Sequence, residues 1–495
     1  MRRNQHCYLL LFLLMAASCA KEPRGIIAPA ADRPAVQRDR GFIVIAKEGA
    51  SLEGISEDLK ALGVKKFVLR EAIKELGLIN VQTPDPSFPE KARKVDGIQS
   101  VVVDPVLNWR LPEKHVRINK QELPVAGGNA RAAAPAFDPL SFLQWNLKSV
   151  KADEAWAAGF RGQGAKVAVL DGGFLLNDPD IAPNIILSHS FIDGEEVQYH
   201  GAEGFSHGSH VAGIIAGADN EQGIVGVAPE AKLILVKVLG DNGTGPTSAL
   251  INGIFYAVNN GADVVNMSLG VELPRKTYKD DNGTPDDPSD DYIVEYDRDI
   301  KDLVIAINRA TLFATLLGTT CVAAAGNEAY DYDVEKRFIT YPAAALGVIC
   351  VASNGPLGWG INQDTTLYVP SIFTNNGKNF VSYGAPGGNY SIPLNTQIVN
   401  VGGIVRPEYV FDFVFSIGGY DEFSGSFFYI WSTGTSQAAP HVSAVAALLY
   451  GKSPRIMSPV LVDLIFRRSV DDYGAPGKDK YFGLGQVNAG KAVRL

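Results

Sequence analysis

Apolar positions along this chain follow two periodicities, and their order divides it into parts. GFIVIAK (41–47) is a nearly continuous apolar run of strand length, and SLEGISEDLKALG (51–63) repeats apolar residues at helical spacing. KKFVLR and LGLINVQT (76–83) read as strands, SFPEKARKVDG (87–97) as a helix and IQSVVVD (98–104) as a closing strand. The predicted order, β-α-β-β-α-β, is a small ferredoxin-like α+β unit. VAGGNARAAAPAF (125–137) carries small residues with no core periodicity, as a linker does. Beyond it, AKVAVLD (165–171), AKLILVKVL (231–239), ADVVNMSLG (262–270) and TTCVAAAGN (319–327) are apolar runs separated by helical stretches. Such runs suit parallel strands buried on both faces, so the predicted fold class of this part is α/β, a doubly wound parallel sheet.

The N-terminus fits neither pattern. Arg2 and Arg3 precede ten apolar residues, Tyr8 to Ala17, too few to cross a bilayer as a helix and flanked as an export signal is. The run closes in Ala16-Ala17-Ser18-Cys19, which resembles a bacterial lipobox but lacks the Leu usual at the position of Ala16. The expectation is a signal peptide over 1–18 and lipidation at Cys19, with an ordinary cleaved signal as the alternative. The protein is then exported, to the bacterial cell envelope or the medium, and meets a membrane only through that anchor. The remaining division is a linker over 19–40, the small unit over 41–112, a second linker over 113–137 and the large domain over 138–495.

Composition adds limits. A formal net charge of −9 argues against nucleic acid as a partner. Outside the signal the chain has two cysteines, Cys321 and Cys350. Each lies in an apolar run, and they either pair or stay as buried thiols on neighbouring strands.

The chemistry gathers in three short segments. Asp171 ends the strand VAVLD and is followed by Gly172-Gly173. His207 lies in FSHGSHVAGIIAG, just ahead of a small-residue helix. Ser436 lies in STGTSQAAPHVSAVAALLYGK (432–452), where a polar run passes into a hydrophobic helix, and Pro440 is expected near the helix start, where proline is tolerated. Together they supply a nucleophile, a base and an orienting carboxylate. A serine at a helix N-terminus also has backbone N–H groups and the positive dipole end beside it, ready for a developing oxyanion.

These segments resemble the motifs of subtilisin-like serine proteases, the subtilases, from about residue 138 to the C-terminus. VAVLDGG resembles the family's aspartate motif, HGSHVAG its histidine motif and GTSQAAPHVSA its serine motif. AAAGNE resembles the segment of the oxyanion asparagine, which implies that role for Asn327. SLG (Ser268, Leu269, Gly270) and GTG (Gly243, Thr244, Gly245) resemble the strands that line the substrate cleft. The resemblance implies a serine endopeptidase acting on proteins or peptides, with no cofactor required for chemistry. It identifies the 41–112 unit with an inhibitory propeptide that acts as an intramolecular partner, removed by self-cleavage in the 113–137 linker. It also makes structural Ca²⁺ a candidate, with no metal ligands assigned.

The departures are specific. Gly172 stands where the family has Thr or Ser, and Gln437 where a methionine is usual. Thr340 is expected at the base of the primary pocket. Residues 272–302, acidic and rich in turn formers, read as a surface loop, with a Ca²⁺ site or a subsite for basic substrate residues as the sharper readings. Residues 389–430 are aromatic and glycine-rich, consistent with a β-hairpin beside the nucleophile helix. GFSHG (204–208) also matches the esterase pattern with Ser206 as nucleophile, but no buried strand precedes it. His207 and His210 have no third metal ligand at informative spacing. A catalytically silent peptide binder and a Ser206 esterase stay open as rival readings.

Overall fold

The computed structural model describes residues 40–64, 67–109, 111, 114–118, 138–201, 204–281, 289 and 291–495. The signal segment, Cys19 and residues 119–137 lie outside the described residues.

The N-terminal unit runs β1 (Arg40–Ala46), α1 (Leu52–Ala61), β2 (Val68–Ile73), β3 (Leu78–Thr83), α2 (Phe88–Ala92) and β4 (Ile98–Val103). Its antiparallel sheet has the order β2-β3-β1-β4, the arrangement of a split β-α-β fold. Ser51 caps α1 by accepting from Gly54 N at 3.2 Å, and Leu52, Ile55 and Leu59 pack on Phe42, Val44, Ile79 and Val81.

Two short strands follow, β5 (Val106–Asn108) and β6 (Lys114–Ile118). The second corrects the reading of 113–137 as linker throughout. KHVRI is polar and nearly patternless, and it is a strand because a distant edge strand pairs with it.

The larger part begins with α3 (Trp145–Ser149), α4 (Ala152–Ala157), β7 (Lys166–Asp171), β8 (Ile185–Ser190), α5 (His207–Ala216), β9 (Lys232–Lys237), β10 (Thr244–Pro246), α6 (Thr247–Asn259) and β11 (Val264–Met267). It continues through β12 (Val271–Pro274), β13 (Tyr278–Asp280), β14 (Tyr292–Val294), α7 (Arg298–Leu316), β15 (Thr320–Ala324), β16 (Phe338–Tyr341), β17 (Val348–Gly355), β18 (Val369–Pro370) and β19 (Tyr383–Pro386). It closes with β20 (Ile398–Val401), β21 (Ile404–Pro407), β22 (Val414–Asp421), β23 (Ser426–Thr433) and α8 (Thr435–Lys452), ahead of two further helices.

The central sheet has the order β18-β17-β15-β11-β7-β9-β8, with β19 also on β17, and only β18 runs antiparallel. Alternate residues serve opposite faces: Val167 and Val169 pack with α5 and α8, while Ala168 and Leu170 pack with α6 and α7. Two covered faces explain the uninterrupted apolar runs of the sequence.

Cys321 and Cys350 lie on adjacent strands β15 and β17 and are free, buried thiols. Burial pushes both thiols up, Cys321 to about 12. The stretch 272–302 is more than a loop, because it contains β13 paired with β14 and the first turn of α7. Within 389–430, β22 and β23 form the expected hairpin, and β23 runs straight into α8.

Candidate active site

Asp171 is the last residue of β7 and is buried, and His207 is the first residue of α5. Ser206 begins that helix as its cap, accepting from Ser209 N at 3.3 Å. Its burial in this role excludes the esterase reading of GFSHG. His207 Nδ1 lies 2.8 and 2.9 Å from the two carboxylate oxygens of Asp171. With Nδ1 donating to the carboxylate, Nε2 is the basic nitrogen. His210, three residues on, is fully buried, and burial and the neighbouring His207 hold it well below the usual imidazole range.

At Gly172 the backbone does part of what a hydroxyl would do. Its N–H donates to Asp171 Oδ1 at 2.7 Å, and its carbonyl accepts from the buried Lys237 Nζ at 2.9 Å. Lys237 also pairs with Asp241 and, at 3.1 Å, with Glu195. A Cβ at Gly172 meets only Gly240 O at 3.5 Å and Leu239 Cβ at 3.7 Å, so a larger residue has room. Sequence reasoning missed Lys237, although a lysine inside an otherwise apolar strand was a signal.

Ser436 is the second residue of α8, with Gly434 at the cap position. Its Oγ lies 3.3 Å from Ser268 O, and Ser268 Oγ donates back to Ser436 O at 2.8 Å. Pro440 is therefore not at the helix start. It is the sixth helical residue and removes the N–H that Ser436 O would accept. Ser268 replaces that donor. Asn266 and Ser443 extend the chain of bonds below Ser268.

Asn327 follows β15. Its Oδ1 accepts from Thr435 N and Thr435 Oγ1, both at 2.8 Å, which orients the side-chain amide against the start of α8. A Cβ at Gly434 would lie 2.9 Å from Asn327 Nδ2. Thr435 was also missed from sequence, where it read only as part of a polar run.

The cleft on one side of Ser436 is filled by the chain itself. β5 pairs antiparallel with β10, setting Leu107 opposite Gly245 and Asn108 opposite Thr244. Trp109 N donates to Gly243 O at 3.2 Å, its indole N–H to Gly245 O at 3.0 Å, and its carbonyl accepts from Gly270 N at 2.9 Å. Leu269 is buried in the same apolar cluster as Leu107 and Trp109. Leu111 is buried near Gly270, where an added Cβ would meet Leu111 Cδ2 at 3.2 Å and Thr340 Cγ2 at 2.9 Å. Thr340 Oγ1 is held by Tyr332 Oη at 2.8 Å, which leaves its methyl toward this pocket.

On the other side, β6 pairs with β23, with Lys114 opposite Thr433. The chain thus passes from one flank of Ser436 to the other between Trp109 and Lys114. Residues 110, 112 and 113 of that crossing lie outside the described residues.

A family profile, the subtilase family (peptidase S8), matches residues 162–485. The alkaline protease of Alkalihalobacillus alcalophilus is 31% identical over 448 residues, covering 90% of this chain and 94% of that protein. The minor extracellular protease Epr of Bacillus subtilis is 30% identical over 347 residues, 70% of this chain, which spans 41% of that longer protein. The crystal structure of the epidermin leader peptide processing serine protease from Staphylococcus aureus superposes with a TM-score of 0.67 at 19% identity, covering 92% of this chain and 98% of that one, a likeness of fold. The family match spans well over half of the chain and contains Asp171, His207, Asn327 and Ser436, so the chain belongs to the subtilase family and is a serine-type endopeptidase.

Proposed function

We propose that this chain is an exported zymogen that cuts itself between Trp109 and Lys114, at the start of the 113–137 linker expected from sequence or just ahead of it, and then hydrolyses other polypeptides. Ser436 Oγ attacks the scissile carbonyl carbon while His207 Nε2 takes the hydroxyl proton. The C–N bond breaks as the imidazolium gives that proton to the leaving amine. Water then repeats the attack on the acyl-enzyme, freeing the carboxylate and restoring the serine hydroxyl. Asp171 holds the His207 tautomer, and the Asn327 amide and Ser436 N–H stabilise the oxyanion. The carrying observation is the chain's own segment laid through the cleft, on β10 and Gly270 before the crossing and on β23 after it.

Calcium enters this reading as a structural ion without part in the chemistry. Among the described residues no group of three or more His, Cys, Asp or Glu stands ready to hold a metal. Two carboxylates do suit a hard cation: Asp138 Oδ2 and Asp180 Oδ1 are buried without a hydrogen-bond partner. They are the residues we assign to it. The acidic 272–302 stretch has residues 282–288 and 290 outside the described residues.

The test is intact mass of residues 41–495 beside Ser436→Ala, each treated with a fluorophosphonate probe. The parent is expected to lose an N-terminal piece of roughly 70 residues and to take the label, and the variant to do neither. The variant's kcat falls on the order of 10⁶-fold, the scale known for the subtilisin nucleophile. A folded parent that is neither cut nor labelled would refute the proposal.

A further inference from the structure

The strand that follows the crossing sits on a surface larger than cleavage itself requires. β23 offers a long edge: Thr433, Ser432, Trp431, Ile430 and Tyr429 pair in turn with Lys114, His115, Val116, Arg117 and Ile118. That edge belongs to the β22–β23 hairpin, which is tied to the site from behind. Ser206 N donates to Gly418 O at 2.8 Å, and Ser416 Oγ donates to His210 O at 2.9 Å. The hairpin is thus held against the histidine helix.

Its side chains meet the cations of β6. Arg117 Nη2 lies 2.5 Å from Asp421 Oδ2, and its guanidinium lies 3.7 Å from the centre of the Phe428 ring. Asp421 is set for this by its own turn: Oδ1 accepts from Phe423 N at 3.0 Å and Ser424 N at 3.2 Å, which leaves Oδ2 to face the strand. Those N–H groups and Arg117 hold the carboxyl below its usual range. Lys114 Nζ stands 4.9 Å over the Tyr390 ring, within the same 389–430 stretch.

We propose that the β23 edge, with Asp421 and Phe428, is a substrate site for an extended segment C-terminal to the cut bond that carries an arginine or lysine three residues beyond the one facing Thr433. This rests on the peptidase reading above, and β6 is its first occupant. Backbone pairing along β23 gives affinity without sequence preference, while the carboxylate and ring face supply the preference for a cation. After self-cleavage β6 keeps its place through the β23 ladder and Arg117, so a substrate strand has to displace it.

The experiment uses the processed chain and quenched fluorescent peptides. One carries residues 105–120, PVLNWRLPEKHVRINK, the second has alanine in place of Arg117, and the third ends at Lys114. The expected kcat/KM order is full length, then alanine, then truncated, with arginine favoured over alanine about fivefold. That ratio collapses toward one in Asp421→Asn, which keeps the acceptor for the turn and loses the charge. Equal rates on the arginine and alanine peptides in the parent would overturn the proposal. Anisotropy of labelled KHVRINK with the processed chain, with and without the arginine, reads the same preference without hydrolysis. A chain that cuts none of the peptides therefore fails the peptidase reading, while arginine-independent binding fails this one.

Discussion

At the scale of single residues, the nucleophile's own carbonyl is the instructive case. Proline at 440 takes away the N–H that Ser436 O would accept within the helix, and Ser268 Oγ supplies the replacement from just beyond β11. A buried carbonyl left without a donor costs about 1–3 kcal/mol. Ser268→Ala is therefore expected to lower unfolding stability by that order. Pro440→Ala in the same background restores a helix N–H at the right place and is expected to recover part of the loss. A double-mutant cycle in denaturant checks this, and additive effects would refute the exchange of donors. The residue types around Ser436 were legible in the sequence because the motifs are short and local. Thr435 was not, and Lys237 was marked only by its charge within an apolar strand, since their roles come from partners far away in the chain, Asn327 and Gly172.

At the scale of elements, α8 carries more than the serine. It is buried from Thr435 to Tyr450, so its polar residues must be satisfied inside the protein. His441 Nδ1 donates to Gln437 O at 2.8 Å, and Nε2 lies 2.9 Å from Asn146 Nδ2. Burial pushes this imidazole down to about 4. The unfolded chain takes up a proton near pH 6.5 and the folded one does not, so stability falls as pH drops from about 6.5 toward 4 and is unaffected above that window. The full penalty is about 3 kcal/mol. His441→Gln is expected to flatten the fall of Tm between pH 6.5 and 4.5, and parallel Tm curves for parent and variant would refute it. The strands of the central sheet were legible because both faces are covered and the runs are unbroken. β6 was not, because five mostly polar residues become a strand only through β23, more than 300 positions away.

At the scale of the whole molecule, the N-terminal unit is docked at more than the cleft. Asp104 accepts from Ser248 N at 3.0 Å and from Ser248 Oγ, and Pro105 O accepts from Thr247 N at 3.2 Å, so this unit completes the start of α6. From α7, the Arg309 guanidinium donates to Ala46 O and Leu76 O at 3.2 Å and to Gln99 Oε1 at 3.0 Å. Under the zymogen reading, Arg309→Ala is expected to speed release of the cleaved unit on the order of tenfold. The measurement is the lag before peptide hydrolysis appears after processing, and an unchanged lag would count against this contact. The division into two units was legible because each has its own apolar periodicity, whereas their docking rests on single polar contacts that carry no periodic signal. The crossing of the chain past Ser436 has a kinetic consequence as well. Under the zymogen reading, a bond presented by the same molecule that cuts it reacts at a rate independent of how many molecules surround it, so maturation is expected to be first order, with a half-life that survives dilution. Digestion of other chains must instead wait for encounter, and slows with every dilution of its partners.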